Sequence, residues 1–257
     1  MAKALWRSSD VSEWSEHLET YRERVLALSE RRAGLNDLDV WFFDTFTPEV
    51  RSRAPPHVTR DELVKVVEWK LKREKFRPRL LGYARALGEE EVVEATTRGF
   101  GPLSGKESGP ESDAKTGDDE SPSACPERDE EDSEDESVGD GGMEESLGCL
   151  CELKGVGPAT ASALLCARDD DFPFMSYEAM DAALGEKRDK YTVERYVELV
   201  DKLKEKASEL TTEDRKWSAK DVELALYSRR ALELTSEKKR EGSGEGGSRR
   251  KRGRPSK

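Results

Sequence analysis

Within this 257-residue chain, Lys154-Gly155-Val156-Gly157-Pro158 comes nearest to a chemical device by residue type and spacing. Glycines at 155 and 157 reach backbone conformations closed to other residues, and a proline directly after them suits the first turn of a helix. The first amides of that helix then face outward at the positive end of its dipole, an arrangement able to hold a phosphate. Lys154 adds a cation, while Ala159 and Thr160 fall in the first turn. Val156 is expected to point back between two flanking helices packed together by Leu150, Leu153, Ala161 and Leu164. A purely structural turn between helices needs glycine for the same conformational reason.

A second concentration of charge lies in Glu68–Arg79, where Lys70, Lys72, Arg73, Lys75, Arg77 and Arg79 are interleaved with Trp69 and Phe76. Cations spaced among aromatics suit a second phosphate-binding face. A solvated helix face with Trp69 and Phe76 turned into the core accounts for much of the same pattern. Near the end of the chain, Arg249, Arg250, Lys251 and Arg252 form a basic run of the kind that directs nuclear import.

Two of these stretches resemble known elements. Leu150-Cys151-Glu152-Leu153-Lys154-Gly155-Val156-Gly157-Pro158-Ala159-Thr160-Ala161 resembles the helix-hairpin-helix motif in the form found in endonuclease-III-like DNA glycosylases, with Lys154 where that family usually has proline. The resemblance implies contact with DNA backbone phosphates, which governs affinity and placement and not base sequence. It also implies what an enzyme would need. Some of those glycosylases carry a nucleophilic lysine two residues after the second hairpin glycine, and that position is Ala159 here. Their aspartate falls near Ser176 or Tyr177, neither of which replaces a carboxylate. Glu178 is left as a displaced general base, although a first-turn carboxylate complementing a helix dipole explains it more simply. The cysteine cluster that binds iron and sulfur in some members has no counterpart, since no cysteine follows Cys166. Arg252-Gly253-Arg254-Pro255 resembles an AT-hook. There Gly253 would let the backbone lie deep in the minor groove of AT-rich DNA, with Arg252 and Arg254 along its negatively charged floor.

The elements that must position these residues are helical by pattern. Val11, Trp14, Leu18, Tyr21, Val25 and Leu28 predict one helix over 11–31, capped by Asp10 with Glu13 behind it. Leu35, Leu38, Trp41, Phe42, Phe43 and Phe46 predict a short buried helix. Thr59 and Glu62 form a capping box that opens a helix to about Glu74, Pro78 opens another that Gly88 ends, and a third covers Glu89 to Arg98. Periodicity resumes at Ser146 and continues through Tyr177–Leu184, Val193–Leu210 with Thr192 as cap, and Ala219 to about Leu234 behind Ser218 and Asp221. The expected fold is all-α. A helical part at 11–100 and another at 146–234 pack as one body, interrupted by a disordered acidic insertion at 101–145 and followed by a disordered basic tail at 235–257.

The net charge of −12 argues against nucleic-acid binding only if it is spread evenly, and it is not. From Glu127 to Glu136 there are eight carboxylates and one arginine, whereas Lys238 to Lys257 hold nine basic residues and two acidic ones. No apolar run approaches the ~18–20 residues that span a bilayer, so no membrane partner is expected. Cys125, Cys149, Cys151 and Cys166 form no C-x-x-C pair, which predicts free thiols in a reducing compartment. With only His17 and His57, neither a histidine metal site nor a cofactor is expected. The expectation is a non-enzymatic nuclear protein that contacts DNA phosphates through the hairpin and the minor groove through its tail. The alternatives are a divergent glycosylase-like repair enzyme, and a chromatin adaptor whose helical body binds protein. The acidic insertion serves as a solvating linker, contacts histones or other basic proteins, or folds back on the tail; phosphorylation of Ser133 or Ser137 would deepen its charge.

Overall fold

In the computed structural model, residues 2–74, 77–106, 140–185 and 190–242 are described, and among them every regular element is helical. The chain opens with a short helix α1 (Ala2–Trp6) that the sequence pattern does not announce, and Leu5 in it is completely buried. Asp10 accepts the amide of Ser12 at 2.9 Å to cap α2 (Val11–Glu19), as its position predicts. The single helix expected over 11–31 is broken at Thr20, after which α3 runs over Tyr21–Ser29. The Thr20 hydroxyl bonds back to the Glu16 carbonyl at 2.6 Å, a side-chain bond that competes with the helix ladder. The break re-aims the apolar stripe. Trp14 enters the main core, while Tyr21, Val25 and Leu28 join Leu35, Tyr227 and Ala231 in a second, smaller cluster.

The aromatic segment forms α4 (Leu35–Val40), a π-helical turn at Trp41–Phe46 and α5 (Thr47–Ser52). Phe42 and Phe46 are fully buried, whereas Trp41 and Phe43 are only partly so. Phe42 stacks on Trp69 of α6 (Arg60–Arg73) with ring centroids 3.9 Å apart. The capping box that starts α6 forms in full, with the Glu62 amide 3.3 Å from Thr59 Oγ1 and the Thr59 amide 2.9 Å from Glu62 Oε2. α7 (Pro78–Ala86) and α8 (Glu89–Phe100) follow. Gly88 does not end α7 in a left-handed turn; its φ is −73° and it stands at the N-cap of α8.

Helical geometry continues from α8 as a 3₁₀ stretch at Gly101–Lys106 and resumes at α9 (Asp140–Cys151), so both edges of the expected insertion belong to the helical part. Residues 107–139, where the rest of the insertion was expected, lie outside the described residues. α10 (Pro158–Arg168), α11 (Tyr177–Ala183), α12 (Val193–Leu210) and α13 (Ala219–Gly242) complete the chain. α13 continues past Leu234, so the first part of the expected tail is helical, and 243–257 lie outside the described residues. One apolar cluster runs from Leu5 and Trp14 through Trp69 and Leu150 to Leu226. α9 packs on α8, α10 on α5 and α6, and α13 on α2 and α3. Among the described residues no helix is long and apolar enough to cross a membrane.

Candidate functional site

α9 ends at Cys151 and α10 begins at Pro158, and the turn between them is built on Gly155. Its φ of +89° is a left-handed conformation, and a Cβ there would lie 2.6 Å from the Cβ of Tyr83 on α7. Glycine at 155 is therefore required twice, by conformation and by the close approach of α7. Gly157 differs from expectation. At φ −109° and ψ 178° it is ordinary extended backbone, and an added Cβ would meet nothing within 4 Å. Folding gives no reason for glycine there. Leu150, Leu153, Ala161 and Leu164 are buried between the two helices and Val156 points inward with them, as the pattern predicts.

The cations of Glu68–Arg79 do not form one face. Arg73 is buried at 1% exposure, so the expectation that it belongs to a surface patch is wrong. Its Nη2 lies 2.7 Å from Glu223 Oε1, and its guanidinium is packed against the rings of Trp69, Phe174 and Tyr227, 3.9 Å from the Tyr227 centroid. Trp69 is in the core, as the alternative reading of this stretch has it. Lys72 donates to the Ala33 carbonyl at 2.6 Å, while Arg77 and Arg79 are exposed. Lys75 and Phe76 lie outside the described residues, as do Arg249, Arg250, Lys251, Arg252, Gly253, Arg254 and Pro255.

Lys70 goes elsewhere. It lines a cavity of about 790 Å³ whose walls include Gly155, Gly157, Ala159 and Thr160 of the hairpin together with Glu74, Tyr177 and Glu178. Its Nζ donates to Thr160 Oγ1 at 3.0 Å, so α6 delivers an amine to the first turn of α10, beside Ala159. Thr160 is buried at the cavity wall and not displayed on the hairpin surface. Arg32, Arg77 and Arg230 also line this space. Outside it, Lys154 extends over the ring of Tyr83 at 5.6 Å, and Tyr83 is itself 40% exposed.

Two carboxyls occupy the same cavity. Glu178, in the first turn of α11, is 8% exposed, and its Oε2 has no hydrogen-bond partner. A first-turn carboxylate that merely complements a helix dipole would sit in water; this one is buried on the wall shared with a smaller cavity of about 290 Å³. Burial pushes its acidity constant above the usual carboxylate range, against the opposing charges of Arg73, Arg32 and Arg230. Glu74 accepts the amide of Tyr177 at 2.9 Å. Burial, reinforced by the charge of Glu178, pushes Glu74 up to about 7, with Lys70 opposing. Burial and then Arg77 act on Lys70 in the direction that favours its neutral amine, while Glu74 favours the ammonium.

Lys70 of α6, Glu74 at the C-cap of that helix and Glu178 of α11 are brought to one cavity by the fold. The sequence marks Glu178 and Lys70 but not Glu74, Arg32 or Arg230, and the acidic interruption of the basic run at Glu74 is the one local sign of its role. Among the described residues, no group of three or more His, Cys, Asp or Glu side chains is placed to hold a metal ion. Cys149, Cys151 and Cys166 are free thiols. Comparison with family models, with curated proteins and with solved structures returned no match.

Proposed function

We propose that this chain is a DNA-associated protein whose folded body grips the phosphate backbone at the hairpin and whose basic tail adds minor-groove contact and nuclear placement. The observation that carries the reading is Gly157. The fold leaves open space where its side chain would be, at the start of an eleven-residue helix beside Lys154 and a cavity lined by Arg32, Arg77 and Arg230. A glycine that folding does not need suits a site where another molecule's backbone comes close. The test is a salt-dependent titration of duplex DNA with three folded forms of the full chain: unaltered, Gly157→Ser, and a tail variant with Arg249, Arg250, Lys251, Arg252 and Arg254 changed to Gln. Hairpin and tail variants should each weaken binding. If only the tail variant does, the hairpin is structural and the body is better read as a chromatin adaptor.

A second reading, of an enzyme acting on a nucleotide turned out of the helix, is favoured by one observation: Glu178 Oε2 is buried without a partner in a cavity that opens beside the hairpin. Chemistry on a nucleotide requires such a pocket, because reacting atoms inside a stacked duplex cannot be reached. Turnover of duplexes carrying damaged bases, abolished by Glu178→Gln, would establish this reading over the non-enzymatic one.

A further inference from the structure

Tyr83 stands apart from the other aromatic side chains among the described residues. Their rings are buried or partly buried, whereas Tyr83, in the middle of α7, is 40% exposed. It is not loose on that surface. A Cβ added at Gly155 would fall 3.0 Å from Tyr83 Cδ2 and 3.1 Å from Cγ, so the ring rests against the bare backbone of the hairpin turn. Lys154 Nζ stands 5.6 Å from the ring centroid, within the distance at which an ammonium and an aromatic face attract. A ring held by its own protein and still open to solvent has already given up the rotamer freedom that binding would cost. Tyr83 does not line the cavity, so this surface is separate from it.

The surroundings fix the charge of a partner. α7 carries Arg79 and Arg85, both exposed, and no acidic residue. Arg79 lies one turn before Tyr83 on the same helix face, and Lys154 approaches the ring from the hairpin. Gly82 sits mid-helix, where glycine is destabilising relative to alanine, and an added Cβ there would meet nothing within 4 Å. Cations beside an exposed ring suit a polyanion that carries flat rings, which is a nucleic acid strand. The ring also selects the form of that strand. Inside a duplex each base is covered on both faces by its neighbours, so a ring on the protein surface finds a free base face where pairing ends. Gly157 is two residues from Gly155 and within about 7 Å of it, so a strand held at the hairpin passes Tyr83 within a few nucleotides.

We propose that Tyr83 is a stacking platform for the first unpaired base of a DNA strand that leaves its duplex at the hairpin, so that this surface takes a duplex with a single-stranded extension in preference to a fully paired one. The proposal rests on the DNA-binding reading. Lys154 and the hairpin amides hold phosphates on the paired side, Arg79 continues the cationic track, and Gly82 lets the strand come close to α7.

The experiment titrates the full chain with a fully paired duplex and with the same duplex extended by unpaired thymidines, the first unpaired base being 2-aminopurine, whose fluorescence is quenched by stacking. The extended duplex should bind about tenfold tighter, inside the factor of roughly 5–150 that one base–aromatic stack supplies, and its probe should be quenched. Tyr83→Ala should abolish both the preference and the quenching, and Tyr83→Phe should keep both. Gly82→Gln should weaken the extended complex without lowering the melting temperature. Equal affinity for the two duplexes, or an unquenched probe in the parent complex, overturns the platform and leaves the DNA-binding reading standing; the probe decides this even if Tyr83→Ala does not fold. Loss of the preference in Tyr83→Phe would assign it to the hydroxyl and overturns the proposal too. No affinity for either duplex removes the DNA reading and the platform together.

Discussion

Lys70 and Arg73 sit one helical turn apart on α6, in the same run of basic residues, and the fold treats them in opposite ways. Arg73 is enclosed by Trp69, Phe174 and Tyr227 and paired with Glu223, so its charge is spent inside the molecule. Aromatic faces are a good match for a weakly hydrated planar guanidinium. Lys70 has a hydroxyl for a partner and a cavity in front of it. Glu223 answers Arg73 across α6 and α13, but Glu74 and Glu178 are not bonded to Lys70. One region is closed by its own side chains. Even there Arg73 Nε and Nη1 make no hydrogen bond and are covered by aromatic rings; the other region leaves Glu178 Oε2 unpartnered beside open space, an arrangement that costs stability and suits a site that meets a ligand.

The strongest way to break this comparison is to remove each cation in turn. Arg73→Met leaves Glu223 buried without its counter-charge, and should cost about 3–5 kcal/mol in urea unfolding. Lys70→Met removes an amine that has no carboxylate partner, and its stability should stay within about 1 kcal/mol of the parent chain. Equal losses in the two variants would mean that Lys70 is as structural as Arg73.

The hairpin glycines sharpen the same distinction within one turn. Gly155→Ala places a Cβ at φ +89° and 2.6 Å from Tyr83, so it should destabilise by about 2 kcal/mol or more, of which the left-handed conformation alone accounts for roughly 1–2. Gly157→Ser puts a good N-cap residue at an unstrained position with open space, and should change stability by less than about 0.5 kcal/mol while weakening DNA binding. Thermal melts of both, beside the titration already described, separate the glycine the fold requires from the one a ligand would require.

What the sequence made legible was whatever is local. Caps are complete in a few residues, so Thr59 with Glu62 and the cap at Asp10 form as their spacing predicts. Helix faces were readable from apolar spacing, and so was the hairpin's inward set from Leu150 to Leu164. The break at Thr20 was hidden, because threonine's bond to the Glu16 carbonyl leaves the apolar period intact and the choice between two core clusters is made by α13, far along the chain. The cavity was hidden for the same kind of reason. Arg73 and Lys70 look alike in a basic run, and only Glu223, 150 residues away, distinguishes them. Glu178 could be seen in the sequence, but its burial and its approach to Glu74 could not.

Both regions hold a carboxyl that burial raises, Glu223 to about 6 and Glu74 to about 7, and comparison with Glu74→Gln isolates the pH dependence of the open one. Glu74 is raised from an ordinary 4.5 to about 7, so between these values the folded chain keeps a proton that the unfolded chain has lost. Stability then falls as pH rises through that window. The groups facing Glu74 are Glu178 from α11, which raises it, and Lys70 and Arg73 from α6, the helix it caps, together with the Tyr177 amide, which oppose the rise. Between pH 5 and 8 the parent chain should lose about 2 kcal/mol relative to Glu74→Gln, allowing for the part of Glu74 that faces the cavity. Parallel pH profiles for the two proteins would show that Glu74 is ionised in the fold throughout.

The smallest effect separates two neighbours of the cavity at its rim. Lys72 has its ammonium committed to the Ala33 carbonyl and does not line the cavity, whereas Arg77 is exposed and does. Each phosphate contact contributes about 0.9 to the slope of log affinity against log salt. Arg77→Ala should therefore lower that slope by about one while changing stability little. Lys72→Ala should leave the slope unchanged and cost less than about 1 kcal/mol of stability, the size of one partly exposed hydrogen bond. The two cations belong to the same basic run, so a slope that moved equally for both would place binding in the diffuse field of that run and not at the mouth of the cavity.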